Sequence, residues 1–317
     1  MKIIFMGTAE LSCASLEKLA KKFSVAAVVT QPDKPKGRDL RLTPSPVKIL
    51  AEKLKLPVLQ PLKARDEQFV SELRGLKPDL LVAVAYGQIL PQTILDLPLH
   101  GCLNVHTSLL PKYRGAAPIQ RAIADGEPET GVTIMKMDAG LDTGPILATR
   151  RTPILPEDNS QTLHDRLARL GAELLVGIIP DYVAGKILPQ PQPAEGASYA
   201  AKIKKEDGRI DWSEPAEKIL NRLRAFTPWP GAFTFSNGKL LKIWKASLAQ
   251  EASYEGISIH NSRIATGTIL SANADGILVL CGKDALMIFE LQREGGRRMS
   301  AAEFLAGHAL QPGGRFD

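Results

Sequence analysis

The chain has 317 residues, of which 44% are hydrophobic and 23% charged, and this composition is typical of a globular protein of one large or two medium domains. Forty Lys plus Arg against 34 Asp plus Glu give a formal net charge of +6, which favours an acidic partner only mildly. Three cysteines, at positions 13, 102 and 281, are too few for a disulfide framework or a cysteine-rich metal site. No apolar run reaches the roughly 18 residues of a membrane span, so we expect a cytoplasmic protein without a membrane partner.

The first elements indicate an α/β sheet domain. A strand is predicted from Lys2 to Met6, a helix from Leu11 to Lys22 and a second strand from Val25 to Thr30. This order predicts a parallel sheet with crossover helices. The turn at Gly7 lacks the G-x-G-x-x-G pattern, which argues against a dinucleotide enzyme but not against the Rossmann-like fold.

A long loop from Gln31 to Pro46 follows the second strand, and loops of this length are commonly functional. Its cations outnumber its acids, Asp33 and Asp39, and can contact phosphates. On charge alone, a solvated loop remains the simpler interpretation. The four cations are Lys34, Lys36, Arg38 and Arg41.

Two apolar strands are predicted to end in polar loops. Leu80 to Ala85 ends at Tyr86-Gly87, and a strand beginning at Gly101 runs into a tight loop at Pro111. In the latter strand, alternation puts Cys102, Asn104 and His106 on one face. A buried, internally satisfied polar pair and an active site are both consistent with this pattern.

Asn104 and His106 suit the chemistry of a carbonyl that becomes an oxyanion, because an amide can stabilise the charge and an imidazole can move a proton. Asp138 and Asp142 are candidate orienting acids, since they follow a predicted strand that can lie beside the strand of His106. Cys102 as nucleophile would make a Cys–His hydrolase. A free cysteine is more often a small buried hydrophobe, so we expect the substrate to bring its own nucleophile, such as an amine.

The Pro-rich stretch that begins at Leu188 is typical of a semi-rigid linker. We therefore predict a first domain over residues 1–189, a linker over 190–208 and a second domain over 209–317. Five short strands with tight turns predict that the second domain is a small OB-like β-barrel. They are predicted at Ala232–Phe235, Leu240–Ala246, Gly267–Leu270, Gly276–Leu280 and Ala285–Leu291.

Asn104-Val-His106, the following Ser108-Leu-Leu-Pro111, and Asp142 in Asp-Ala-Gly-Leu-Asp-Thr-Gly resemble the 10-formyltetrahydrofolate-dependent formyltransferases. Further stretches, spread over both predicted domains, resemble the branch of this family whose acceptor is methionyl initiator tRNA. These are Gln31–Pro35, Pro44–Lys48, Val84–Gly87, Arg114–Gln120, Glu129–Met135, Ile210–Trp212, Ala225–Pro230 and Lys242–Ala246.

The resemblance implies a Rossmann-like formyltransferase domain followed by an OB-like barrel. It implies transfer of the formyl group of 10-formyltetrahydrofolate to the amino group of methionyl initiator tRNA, for translation initiation. We also expect a monomer that needs no metal. The implied catalytic residues are Asn104, His106 and Asp142, and the implied folate contacts are Ser108, Leu109, Leu110 and Pro111. The implied tRNA contacts are Lys36, Arg38 and Arg41 on the long loop and Lys204 and Lys205 near the second domain.

Two further alternatives stay open beside the Cys–His hydrolase. The first keeps the chemistry and changes the acceptor to a sugar-nucleotide amine, which the basic loop at Lys34 to Arg41 disfavours. The second is a non-catalytic RNA-binding module, which has no need of Asn104, His106 and Asp142 together.

Overall fold

The computed structural model of the protein describes residues 1–36, 41–250 and 264–317. Its helices are α1 (Leu11–Lys22), α2 (Pro46–Lys53), α3 (Glu67–Leu76), α4 (Gln92–Leu95), α5 (Pro118–Ala124), α6 (Ser160–Val183), α7 (Ala216–Phe226) and α8 (Ala301–Gly307), with one 3-10 helix at Lys205–Gly208. No helix within these ranges has the length and apolar character needed to cross a membrane.

The strands, in chain order, are β1 (Lys2–Gly7), β2 (Ser24–Val29), β3 (Lys34–Lys36), β4 (Arg41–Thr43), β5 (Val58–Leu59), β6 (Leu80–Val84), β7 (Cys102–His106), β8 (Arg114–Gly115), β9 (Glu129–Lys136), β10 (Ile146–Pro153), β11 (Tyr199–Ala200), β12 (Ala232–Ser236), β13 (Lys239–Leu248), β14 (Ile269–Asn273), β15 (Gly276–Leu280), β16 (Ala285–Arg293) and β17 (Arg298–Ser300).

The chain divides by its contacts into two compact units. The N-terminal unit contains residues 1–118, 129–153 and 162–201, and the C-terminal unit contains residues 119–128, 154–161 and 202–317. Each unit is therefore built from separate stretches of the chain. The division into residues 1–189 and 209–317 stays a prediction.

A seven-stranded sheet forms the core of the N-terminal unit, in the order β10-β9-β7-β6-β1-β2-β5. The five strands from β7 to β5 are parallel, as the alternation of strands and helices predicts, whereas β9 and β10 are antiparallel to their neighbours. Every residue of β6 is buried, which explains why its sequence is continuously apolar. The predicted Rossmann-like α/β domain is confirmed, with an antiparallel edge.

Local sequence signals explain where α2 and α3 begin. Ser45 caps α2 by accepting a hydrogen bond from the Lys48 backbone N–H, and Pro46 occupies the first helical position, where no N–H is needed. Asp66 caps α3 through the backbone N–H groups of Gln68 and Phe69. The C-terminal end of the basic loop therefore forms the capped N-terminus of α2.

The segment predicted as a linker makes many hydrogen bonds within the N-terminal unit. Gln190 forms a β-bridge with Ile146, and β11 pairs in parallel with β8. Proline-rich composition predicts an extended backbone, which is present here, but an extended backbone can also add to a sheet edge. Residues 190–200 thus belong structurally to the unit that precedes them.

The C-terminal unit contains a six-stranded antiparallel sheet in the order β12-β13-β16-β15-β14, with β17 paired to β16. Its apolar face packs on α7 and α8 around Trp212, Leu223 and Phe304. The five predicted strands are all present, and β17 is an addition. The prediction of a β domain after the α/β domain is confirmed.

Candidate active site

Strand β7 positions the predicted amide and imidazole. It lies between the parallel β6 and the antiparallel β9, with Asn104 opposite Met135 and His106 opposite Thr133. Val105 faces the other side of the sheet, where its side chain packs near Gly171 of α6. A Cβ at Gly171 would approach Val105 to 2.8 Å, so the helix lies close to this strand. Asn104 and His106 therefore share the opposite face, as their alternation predicts.

Asp142 reaches this face from the loop that joins β9 to β10. The Asp142 carboxylate accepts a hydrogen bond from Asn104 Nδ2 at 3.2 Å and one from the backbone N–H of Gly115 at 2.8 Å. Its backbone has a φ of 54°, in the left-handed region that aspartate tolerates better than most residues. Because β9 is antiparallel to β7, the loop has to fold back along β7 for the carboxylate to meet Asn104.

The loop's return depends on Gly144, because a Cβ there would overlap the Lys136 carbonyl oxygen. The Lys136 N–H also donates to the Pro145 carbonyl at 2.9 Å, which closes the loop at its base.

His106 is buried and has a defined partner on each side of its ring. Nε2 lies 2.9 Å from the carbonyl oxygen of Tyr113, and Nδ1 lies 3.6 Å from an oxygen of Asp142. A carbonyl only accepts hydrogen bonds, so Nε2 carries a proton. Nδ1 is consequently the atom that gains or loses a proton, and the imidazolium form places its charge beside the Asp142 carboxylate.

A cavity of about 550 Å³ opens beside these groups. Its polar lining includes Asn104, His106 and Asp142 together with Gln88, Thr107 and Asp138, and the loops that follow β6 and β9 form much of the remaining wall. The apolar lining includes Tyr86, Ile89, Leu90, Ala116, Pro118 and Met135. A cavity of this size and lining is typical of a small-molecule site.

Cys102 lies on the same strand but outside this cavity. Its side chain is 1% exposed, and Sγ approaches the carbonyl oxygens of Ile94 and Leu95 at 3.8 and 3.7 Å. Burial raises the pKa of the thiol to about 12. The thiolate needed for nucleophilic attack is therefore scarce at neutral pH, and the Cys–His hydrolase interpretation has no structural support.

The predicted folate segment follows β7 directly. Ser108 is fully buried, and its hydroxyl donates to the Lys112 carbonyl at 2.6 Å. Thr133 of β9 donates to the Ser108 carbonyl and accepts from the Leu110 N–H. Residues 108–111 are thus rigidly held beside the site, but they are not among the residues that line the described cavity. Their contact with folate stays a prediction.

The predicted tRNA contacts divide between the two units. Lys36 and Arg41 are opposite each other in the β3–β4 hairpin, where Arg41 is exposed. Arg38 lies outside the described residues. Lys204 and Lys205 are exposed in the C-terminal unit, at the start of the 3-10 helix.

The base of the hairpin is anchored to the sheet. Lys48 Nζ contacts both carboxylate oxygens of Asp33, at 2.8 and 3.1 Å, and Gln60 donates to Asp33 at 2.8 Å. Gln31 donates from Nε2 to the Tyr86 carbonyl at 2.8 Å, which links the hairpin to a cavity residue. The basic loop is therefore ordered where it leaves the domain.

Three residues of the site had no individual signal in the sequence. Tyr113 contributes a carbonyl, Gly115 contributes an N–H, and Gln192 donates to the carbonyl oxygens of Asp142 and Gly144. Backbone groups are present at every residue, and Gln192 lies in the proline-rich stretch that resembles a linker. Among the described residues, no group of three or more His, Cys, Asp or Glu side chains is arranged to hold a metal ion.

An amide, an imidazole and a carboxylate meet at a cavity beside a Rossmann-like sheet, an arrangement that suits a group-transfer enzyme. The sequence comparisons specify the group. The family model described as formyl transferase matches residues 1–179, and the model of the formyl transferase C-terminal domain matches residues 202–309. The chain belongs to the formyl transferase family, as the motifs around His106 and Asp142 predict.

Curated relatives match over nearly the whole length. The methionyl-tRNA formyltransferase of Geobacter sulfurreducens is 50% identical over 316 residues, which cover 99% of this chain and 96% of the relative. The methionyl-tRNA formyltransferase of Myxococcus xanthus is 52% identical over 312 residues, with 98% and 96% covered.

Among solved structures, an N-formyltransferase from Helicobacter canadensis in complex with folinic acid and dTDP-3-aminofucose gives a TM-score of 0.65. The match covers 94% of this chain and 100% of that chain at 19% sequence identity. At this identity the likeness supports the fold alone.

Proposed function

We propose that the protein transfers the formyl group of 10-formyltetrahydrofolate to the free amino group of methionyl initiator tRNA, giving N-formylmethionyl-tRNA for translation initiation. The observation that carries the proposal is the meeting of Asn104, His106 and Asp142 at one cavity in a formyl transferase chain. The choice of acceptor is supported by relatives that are about 50% identical over nearly the whole chain and are named methionyl-tRNA formyltransferases.

The cavity suits the formyl donor. Its walls are largely apolar and include the ring of Tyr86, which suits a flat pterin ring, and its polar lining includes Asn104, His106 and Asp142. The donor supplies an electrophilic formyl carbon, and its nitrogen is the leaving group. Residues 108–111 are proposed to contact the same substrate from the loop after β7, with Leu109 and Pro111 half-buried and Ser108 shaping the turn.

Asn104 is proposed to stabilise negative charge on the formyl oxygen. Its amide nitrogen has two hydrogens, and Asp142 accepts only one of them. The second hydrogen is available to the oxyanion that forms as the methionyl amine attacks the formyl carbon. Since Asn104 is already held by Asp142, little reorganisation accompanies the reaction, which is the condition for strong electrostatic catalysis.

His106 and Asp142 are proposed to move the protons. The amine loses a proton as its bond to the formyl carbon forms, and the folate nitrogen gains one as its bond to that carbon breaks. His106 Nδ1 is the exchanging atom, because Nε2–H is fixed on the Tyr113 carbonyl. Asp142 stabilises the imidazolium from 3.6 Å and keeps the ring in one orientation.

The tRNA is proposed to be held by cations in both units. Lys36, Arg38 and Arg41 are assigned to the hairpin contact, and Lys204 and Lys205 to a second contact in the C-terminal unit. Phosphate contacts of this kind are electrostatic and depend on salt concentration. A monomer in the cytoplasm, where translation begins, completes the proposal.

The test is a formylation assay with 10-formyltetrahydrofolate, comparing methionyl initiator tRNA with dTDP-3-aminofucose as acceptor. Formylated methionyl-tRNA is expected, with no formylated sugar nucleotide. The reverse result would identify a sugar-nucleotide enzyme, and the absence of product from both acceptors would refute the proposed function. A His106→Asn variant serves as the inactive control.

A further inference from the structure

We propose that Gln192 is a positioning residue for Asp142, so that a side chain from the segment after α6 supports the proposed catalytic cluster of the N-terminal unit. The inference rests on the proposed role of Asp142 in formyl transfer. It concerns a side chain in the stretch whose composition predicts only a linker.

The amide of Gln192 uses its full hydrogen-bonding capacity. Nε2 donates to the carbonyl oxygens of Asp142 and Gly144, each at 2.8 Å. Oε1 accepts from Arg114 Nε at 3.0 Å and from Arg114 Nη2 at 2.7 Å. A guanidinium only donates and a carbonyl only accepts, so the amide has one possible orientation. Gln192 is thereby fixed between the Asp142 loop and β8.

These contacts close a ring around Asp142. Arg114, which holds Gln192, is followed by Gly115, and the Gly115 N–H donates to the Asp142 carboxylate at 2.8 Å. Starting from the Asp142 carbonyl, the ring passes through Gln192, Arg114 and Gly115 and returns to the Asp142 side chain. The backbone and the carboxylate of one residue are thus set by the same four-residue circuit.

These contacts support Asp142 beyond what its own loop supplies. Its φ of 54° is unusual for a residue with a side chain. Its Asn104 and His106 contacts, at 3.2 and 3.6 Å, are long, whereas Gln192 donates at 2.8 Å to the Asp142 carbonyl and to that of Gly144. A group that holds the loop without touching the substrate is placed to set the carboxylate–imidazole distance.

The same segment also holds the other partner of His106. Ser198 Oγ accepts from the Tyr113 N–H at 2.9 Å, and the Tyr113 carbonyl faces His106 Nε2. Residues 192 and 198 therefore support both sides of the imidazole. Because both residues support partners of His106, a positioning role is favoured over a role in stability alone.

The test uses Gln192→Glu, which keeps the length and the Arg114 contact but removes both donors to the Asp142 loop. Gln192→Met removes all four hydrogen bonds and is the second variant. Gln190→Glu is the matched control, because Gln190 is exposed and its side chain bonds only to the neighbouring Leu188 carbonyl.

The first measurement is hydrogen exchange of the Gly115 amide in each variant without substrates. Loosening of Asp142 predicts an exchange rate about tenfold or more above wild type in both Gln192 variants, as when a protecting hydrogen bond opens. The second measurement is formylation. Since a displacement of about 1 Å can cost roughly 10²-fold in rate, kcat should fall by about that factor while both KM values stay near wild type.

The kcat–pH profile should also change in Gln192→Glu and stay unchanged in Gln190→Glu. Wild-type Gly115 exchange and kcat in Gln192→Glu would overturn the inference, as would a lower Tm with kcat and pH profile intact. If Gln192→Glu does not fold, Gln192→Met decides by the same measures. Because the exchange measurement needs no substrate, it stands even if the wild-type chain formylates neither acceptor.

Discussion

Two polar regions of the N-terminal unit, the catalytic cluster at β7 and the β3–β4 hairpin, are built in opposite ways. In the cluster, His106 and Asp142 side chains are 6% and 14% exposed, and each group has two or more fixed partners. In the hairpin, Arg41 is exposed and the adjacent Leu42 is 71% exposed. The cluster groups already have partners in the structure, whereas Arg41 and Leu42 of the hairpin lie at the surface.

The difference matches the two tasks proposed above. Stabilising a charge that exists only during reaction needs donors already in place, because reorganisation would cost the energy that catalysis gains. Holding a phosphate backbone needs positive charge at the right distance, and exposed side chains can adapt to it. The two regions should therefore respond differently to substitution.

The largest effect is expected from Asn104→Ala. Removing the donor to the formyl oxygen should lower kcat by about 10²–10³, the usual cost of one oxyanion donor. The Tm should change little, because Asn104 is half-buried. Gln92→Ala, which removes an exposed amide on α4, is the control and should behave as wild type. A kcat near wild type in Asn104→Ala would remove the amide from the chemistry.

A smaller and different effect is expected from Arg41→Ala. KM for methionyl-tRNA should rise roughly tenfold, consistent with the loss of one charge-assisted hydrogen bond. The slope of log KM against log salt should fall by about 1. KM for folate and kcat at saturating tRNA should be unchanged.

Lys186→Ala is the control for this variant, because Lys186 is an exposed cation of the same unit paired only with Asp181. Equal losses for tRNA and folate in Arg41→Ala would contradict the separation of the two regions.

Lys48→Met tests whether the hairpin must be anchored. Hydrogen bonds from Lys48 and Gln60 hold the pKa of Asp33 below its ordinary value. The anchor is therefore fully present above the ordinary carboxyl range and is lost only as pH falls through the lowered pKa. At neutral pH, Lys48→Met should raise KM for tRNA less than Arg41→Ala does and leave KM for folate unchanged.

The control for the anchor is Lys21→Met, which breaks an exposed pair with Glu17 on α1. Such pairs contribute little, so tRNA use should not change. A rise in folate KM in Lys48→Met would show that the Gln31 link to Tyr86 transmits the damage to the cavity.

The smallest effect is expected from Cys102→Ala. Cys102 lies two residues before Asn104 on β7, but burial raises the pKa of its thiol to about 12, and its side chain does not line the cavity. Activity should stay within about twofold of wild type, because the change removes only a small buried group. Loss of turnover in the folded variant would restore the thiol as a candidate nucleophile.

Several features followed from the sequence because their causes are local. The apolar run of β6 and the alternation of β7 each appear in the structure as predicted. The motifs around His106 and Asp142 were sufficient to identify the family. The excess of cations in the loop before Pro46 was likewise visible.

Other features have no local cause. The antiparallel direction of β9, which makes the Asp142 loop fold back, depends on which strand β9 pairs with. The association of residues 119–128 and 154–161 with the C-terminal unit depends on contacts distant in sequence. Proline-rich composition predicts an extended segment but not the sheet edge that it joins.

The sequence by itself placed the amide and the imidazole of the proposed site together, since residues at alternate positions of a strand must share a face. It also determined the family, through motifs distributed over the whole chain. Only the tertiary structure decided the state of those groups. The Tyr113 carbonyl selects the proton on His106 Nε2, and the Gln192–Arg114–Gly115 circuit sets Asp142. Backbone groups and the Gln192 amide make these contacts. Almost every residue carries the same backbone carbonyl and N–H, so residue type does not predict which of them will face the site.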